Sequence, residues 1–166
     1  MMDETAFDAF YAASYHKVVA QVYLTCGNLA EAQDCAQEAF VRAWDRRKSL
    51  ESDRHPEAWV RTVAHRLSIS RWRKMRRSLL LGDHTPEPVS DDPDVPQRVA
   101  LAAALRELPE PTRHVMVLHY YVDLAVSDIA TELGIPVGTV KARLSRGRTA
   151  LAERLGVATA ASASSP

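Results

Sequence analysis

Apolar residues recur at three- and four-residue intervals through most of this 166-residue chain, and no stretch carries a strand pattern of any strength. The pattern predicts an all-α protein. Between Ala6 and Leu24 the positions Phe7, Phe10, Tyr11, Ser14, Val18 and Val22 share one helix side, and Cys26-Gly27 places a glycine where the helix stops. Asn28 and Glu31 form a capping-box pair for a second helix, Leu29 to Arg47, with Ala32, Ala36, Phe40, Ala43 and Trp44 facing in. A polar loop from Lys48 to His55 follows. Pro56 opens a third helix, predicted to turn Trp59, Val63, Leu67 and Ser70 inward. Gln97 to Leu108 and Glu110 to Tyr121 read as two further helices, each opened near a proline.

The last helical pair has the punctuation of a helix-turn-helix. Ile129, Ala130 and Leu133 line one side of a short helix, Gly134 suits a left-handed turn, and Pro136 starts a second helix. That helix turns Val140, Leu144, Gly147, Leu151 and Leu155 inward. Its opposite side carries Gly138, Ala142, Ser145, Arg146 and Thr149, flanked by Lys141, Arg143 and Arg148. Small residues there let a helix enter a major groove, and flanking cations can reach phosphates on either side.

Charge divides the chain into blocks that the overall balance of 21 cations and 21 anions conceals. Residues 1 to 58 carry six cations and ten anions, 59 to 78 seven and none, 79 to 96 none and five, and 97 to 166 eight and six. Within the third block five acidic residues are interleaved with prolines from Leu81 to Pro96, the composition of an extended linker. The organisation predicted is therefore two small helical domains, 1–78 and 97–156, joined by an acidic Pro-rich linker at 79–96, with an Ala/Ser-rich disordered tail at 157–166. The second domain is the helix-turn-helix.

The cationic block is a second candidate nucleic-acid surface, formed by Arg61, His65, Arg66, Trp72, Arg73, Lys74, Arg76 and Arg77. A basic groove tracks a phosphate backbone, and an aromatic ring can stack an unpaired base. Trp59 fits the inward stripe better than a stacking role, whereas Trp72 fits core and stacking equally well. An acidic linker between two such surfaces is repelled by the same DNA, so it belongs elsewhere, such as a positively charged channel of a protein partner.

Enzyme chemistry finds little support. The carboxylates concentrate in the linker and the first two helices, and His16, His55, His65, His84, His114 and His119 show no metal-ligand spacing. No catalytic set, metal site or cofactor is expected. Cys26 and Cys35 read as small core residues rather than a zinc or redox pair. No run of eighteen apolar residues exists and the N-terminus is acidic, so no membrane insertion is expected and a cytoplasmic location is.

Three segments taken in order resemble the extracytoplasmic-function (ECF) group of bacterial sigma factors, in the sigma-70 superfamily. They are Asp34-Cys35-Ala36-Gln37-Glu38-Ala39-Phe40-Val41-Arg42-Ala43-Trp44, Leu108-Pro109-Glu110-Pro111-Thr112-Arg113, and Ile135-Pro136-Val137-Gly138-Thr139-Val140-Lys141-Ala142-Arg143-Leu144. The resemblance covers residues 5 to 155. It implies a promoter-specificity subunit with core RNA polymerase and promoter DNA, duplex and melted, as partners, and it leaves room for an anti-sigma factor. Asp34, Gln37, Glu38 and Arg42 would dock on the polymerase. The third helix and the loop before it would hold the melted minus-10 strand, and Lys141, Ala142, Arg143, Ser145, Arg146 and Arg148 would lie on the minus-35 duplex. Arg66 and Ser70 depart from the residues usual in the group, Asn and Asp, and Ala142 replaces a common Ser. A free-standing helix-turn-helix regulator is the competing reading, supported by the second domain alone.

Overall fold

The computed structural model describes residues 2–50, 55–80 and 96–156, and every regular element among them is helical. Residues 81–95 of the predicted linker, 51–54 of the predicted loop at Lys48 to His55 and the tail lie outside the described residues; Lys48 to Leu50, expected in that loop, are helical, and Leu79, Leu80 and Pro96, expected in the linker, belong to helices. The chain forms two compact units, Met1–Pro93 and Asp94–Pro166.

The first unit packs α1 (Glu4–Cys26), α2 (Leu29–Asp45), the short α3 (Arg47–Leu50) and α4 (Pro56–Leu80). Local chemistry sets its corners. Asp3 accepts the Ala6 amide at 2.8 Å to start α1. Gly27 closes α1 in the left-handed region at φ 75°, with its amide on the Tyr23 carbonyl at 2.7 Å, and Asn28 then accepts the Glu31 amide at 3.0 Å to start α2. The α1–α2 interface is aromatic at one end: Phe7 meets Trp44 edge-on at 5.0 Å between centroids, and Phe10 and Tyr11 meet Phe40 at 5.6 and 5.0 Å. Elsewhere α2 buries only small groups, Ala32, Cys35, Ala36, Ala39 and Ala43, which let neighbouring helices approach closely.

Helix α4 departs from its predicted orientation. Val60, Ala64 and Ser68 are buried, while Trp59, Val63 and Leu67 are only half-buried and Ser70 is exposed. The helix is thus rotated by about one residue, or about 100°, from the stripe read in the sequence. Two apolar stripes run side by side there, and the one with smaller side chains is the one that packs.

The second unit contains α5 (Pro96–Arg106), α6 (Glu110–Met116), a π-helical segment (Val117–Tyr121), α7 (Val126–Leu133) and α8 (Val137–Arg154). Gly134 turns α7 into α8 at φ 65°, and Val140 and Leu144 face the core. Gly147 lets α6 and α8 approach closely, because a Cβ there would fall 2.6 Å from Met116 Sδ and 3.2 Å from Thr112 Cγ2. Leu155, predicted inward, caps α8 and is exposed.

Candidate nucleic-acid interface

The outward side of α8 is as its pattern requires. Lys141, Ala142, Ser145, Arg146 and Arg148 are exposed and Arg143 is half-buried, so all six minus-35 candidates stand on or beside one face around the small residues Gly138 and Ala142. The Arg146 Nε–H points back to the Ala142 carbonyl at 3.4 Å, along its own helix. Arg148 donates from Nη1 to the Tyr120 hydroxyl at 3.2 Å.

Tyr120 carries no signal in the sequence pattern, and it owes its position to the π-helical segment. The Val122 amide reaches the Val117 carbonyl at 3.1 Å, the wide ring of a π-turn, and Asp123 then takes the left-handed conformation at φ 66°. Val117 and Leu118 remain buried, while Tyr120 and Tyr121 are delivered to the surface.

On α4 the candidates separate into two groups. Arg66, Trp72, Arg73, Lys74, Arg76 and Arg77 are exposed. Arg61 and His65 each keep 7% of their accessible surface in the chain as a whole. Each directly follows a packed position, Val60 or Ala64, on the rotated helix. The same rotation brings Trp59 and Val63, expected in the core, to the wall of an open depression that they share with Arg42, Asp45, Arg46 and Arg66. A second depression continues from Arg66 past Ile69 and Ser70 to Arg73 and Arg77. Positions 59, 63, 66, 70, 73 and 77 thus form one helical stripe along an open, cation-rich groove. Trp72 stands outside it, about half exposed at 51%, with the Arg76 guanidinium 5.2 Å from its ring centre; a core role for this ring is excluded.

The α2 candidates form a third surface. Asp34, Gln37 and Arg42 are exposed and Glu38 is half-buried. Arg42 Nη2 donates to Glu38 Oε1 at 2.6 Å, and Gln37 Nε2 lies 3.5 Å from the Tyr15 hydroxyl. Arg71, from α4, reaches across: Nη1 lies 3.3 Å from Glu31 and 3.8 Å from Asp34, and Nη2 donates to Glu38 Oε2 at 3.1 Å. Bonding to Arg42 first, and to Arg71, holds the Glu38 carboxyl below the usual carboxylate range against the opposing effect of its burial. Beneath them Cys35 is fully buried, and burial pushes its thiol up to about 12, so it is an inert packing group. Arg71 could have been found in the sequence by extending the stripe 60, 64, 68 one turn further, to a cation at the edge of the packed side.

Comparison with known families defines the class. Residues 10–78 match the family model for sigma-70 region 2, and residues 98–151 match that for sigma-70, region 4. ECF RNA polymerase sigma factor SigW of Bacillus subtilis is 32% identical over 169 residues, covering 92% of this chain and 90% of the relative. SigL of Mycobacterium tuberculosis is 35% identical over 125 residues, 71% of each chain. Among solved structures, the sigma factor RpoE of Bartonella quintana, in complex with the anti-sigma factor NepR, superposes with a TM-score of 0.80 at 25% identity, covering 91% of this chain and 97% of that one. This chain belongs to the ECF RNA polymerase sigma factors. It is a promoter-specificity subunit of RNA polymerase and not an enzyme.

Proposed function

We propose that the two units divide promoter recognition. Unit 1 docks on core polymerase through the α2 face and holds the melted minus-10 strand along α4, and unit 2 reads the minus-35 duplex through α8. The observation that carries this division is the different chemistry of the two cationic helices. The α4 groove combines Trp59 with Arg66, Arg73 and Arg77, the mixture of ring and charge that suits unpaired bases. On α8 the cations surround small residues, which suits a helix lying in duplex. Domain limits of 1–78 and 97–156, with an acidic connector between them, suit the same division and fall within two residues of the α4 end at Leu80 and the α5 start at Pro96.

Site-specific photo-crosslinking in reconstituted holoenzyme on a promoter tests it. A crosslinker at position 66 or 73 is expected to capture one strand at minus 10, and one at position 142 to capture the minus-35 duplex. Crosslinks from position 142 to minus 10 would overturn the division.

A regulator acting without polymerase would use unit 2 alone and would leave the region 2 match across residues 10–78 without a purpose. No described helix is long and apolar enough to cross a membrane. A subunit that acts with polymerase at promoters would act in the cytoplasm. The NepR complex of the Bartonella relative supports an anti-sigma partner here as well.

A further inference from the structure

Three carboxylates, Glu31, Asp34 and Glu38, lie at successive turns on one side of α2, where like charges repel. A single guanidinium from another helix, Arg71, sits among all three, with Nη1 serving Glu31 and Asp34 and Nη2 serving Glu38. Glu38 is thereby committed on both oxygens, Oε1 to Arg42 at 2.6 Å and Oε2 to Arg71 at 3.1 Å. A carboxylate so engaged is poorly placed to offer itself to a partner's cation. It is well placed to hold Arg42. Asp34, by contrast, keeps 63% of its side-chain surface, and Gln37 and Arg42 are exposed.

We propose that Arg71 is a positioning residue for polymerase docking: it anchors Glu38, Glu38 fixes Arg42, and the surface presented to polymerase is Asp34, Gln37 and Arg42. The inference rests on the docking reading of α2 and deepens it. Glu38 becomes a buttress instead of a contact. Because Arg71 belongs to the helix that carries the minus-10 groove, the same contact fixes the docking surface relative to α4. A lone exposed ion pair contributes little, but here one planar fork bridges three carboxylates and lies two-thirds buried at 33% exposure, the arrangement in which arginine is not replaceable by a point charge.

The test measures the affinity of the full chain for core polymerase, beside thermal unfolding of the same variants. Arg71→Met keeps the aliphatic stem and removes the fork, and is expected to weaken binding about tenfold. Arg71→Lys restores charge without the fork and is expected to recover about a third of the wild-type affinity. In a Glu38→Gln background, Arg71→Met should cost less than about threefold further, because its target is already lost. Wild-type or tighter binding by Arg71→Met would overturn the proposal. So would an undiminished effect in the Glu38→Gln background, or a loss that follows unfolding temperature and that Lys does not relieve. Asp34→Asn with Gln37→Ala separates this proposal from its foundation. If that pair binds core normally, the docking reading itself fails; if it loses binding while Arg71→Met does not, only the role of Arg71 falls.

Discussion

Helices α4 and α8 carry comparable runs of cations and place them in opposite settings. On α8 the cations surround Gly138, Ala142 and Ser145 and have few acidic neighbours, Arg154 with Glu107 at 3.2 Å being one pair away from the small-residue face. On α4 one cation, Arg71, is consumed by the carboxylates of α2, and the exposed cations are interleaved with Trp59 and Trp72. Counting basic residues would not tell their roles apart. Their neighbours separate them: small residues with exposed charge suit a groove already formed, whereas rings beside charge suit bases that have left the stack.

The largest effect expected is at the α2 face adjoining α4. Gln37→Ala with Glu38→Lys should abolish holoenzyme assembly in a pull-down with core polymerase, while helix content by circular dichroism stays unchanged. The Lys would stand beside both Arg42 and Arg71, replacing attraction by repulsion on each side. Retained assembly would remove the docking assignment of the α2 face.

Trp72→Ala probes the ring side of the comparison. Base stacking on such a ring is worth about 1–3 kcal/mol, so promoter opening followed by permanganate should fall while closed-complex formation is spared. On a template with a pre-melted bubble the loss should be smaller. Equal loss on duplex and bubble templates would show that the exposed ring does not aid melting, and the stacking role would be withdrawn.

The two helices also differ in how much of their role could be read from the chain. The α8 pattern was nearly complete because Gly134 and Pro136 fix its start, and its apolar stripe has no rival beside it. Capping at Asn28 and Gly27 was equally legible, since such bonds are local. On α4 the apolar residues Trp59 and Val63 compete with Val60 and Ala64, and choosing by size gives the wrong side. The decision belongs to α2, whose buried alanines accept a close neighbour and leave the larger ring at the groove wall. The π-turn at Val117–Tyr121 had no local signature either, because a wide hydrogen-bond ring looks like ordinary helix in a pattern of spacings.

For α8 the expected separation is between reading and holding. Arg146→Ala should cost about 1–3 kcal/mol at one base position, through loss of two parallel bonds to a guanine, once the side chain has left its own-helix contact to Ala142. Removing Lys141 or Arg148 should weaken all sequences alike and lower the log-log salt slope by about 0.9 each. Binding-site selection with the holoenzyme checks both. An unchanged minus-35 preference with Arg146→Ala would mean that the reading face of α8 is centred elsewhere.

The smallest effect concerns Tyr120, whose hydroxyl receives the Arg148 Nη1–H at 3.2 Å. Tyr120→Phe deletes that oxygen and keeps the ring, so Arg148 loses one restraint without losing its charge. A bond of this kind contributes about 0.5–1.5 kcal/mol, and exposure at both ends places it at the lower limit. The expected result is a loss of minus-35 affinity of about twofold, uniform over sequences, with the salt slope unchanged because no cation has been removed. In an Arg148→Ala background the same substitution should have no effect, since its target is gone. If Tyr120→Phe instead lowered affinity as strongly there as in wild type, the hydroxyl would be acting on DNA directly. The cation-holding surface of unit 2 would then extend beyond α8 to the π-turn, and the contrast with α4 would narrow, because both units would present an aromatic side chain beside their cations.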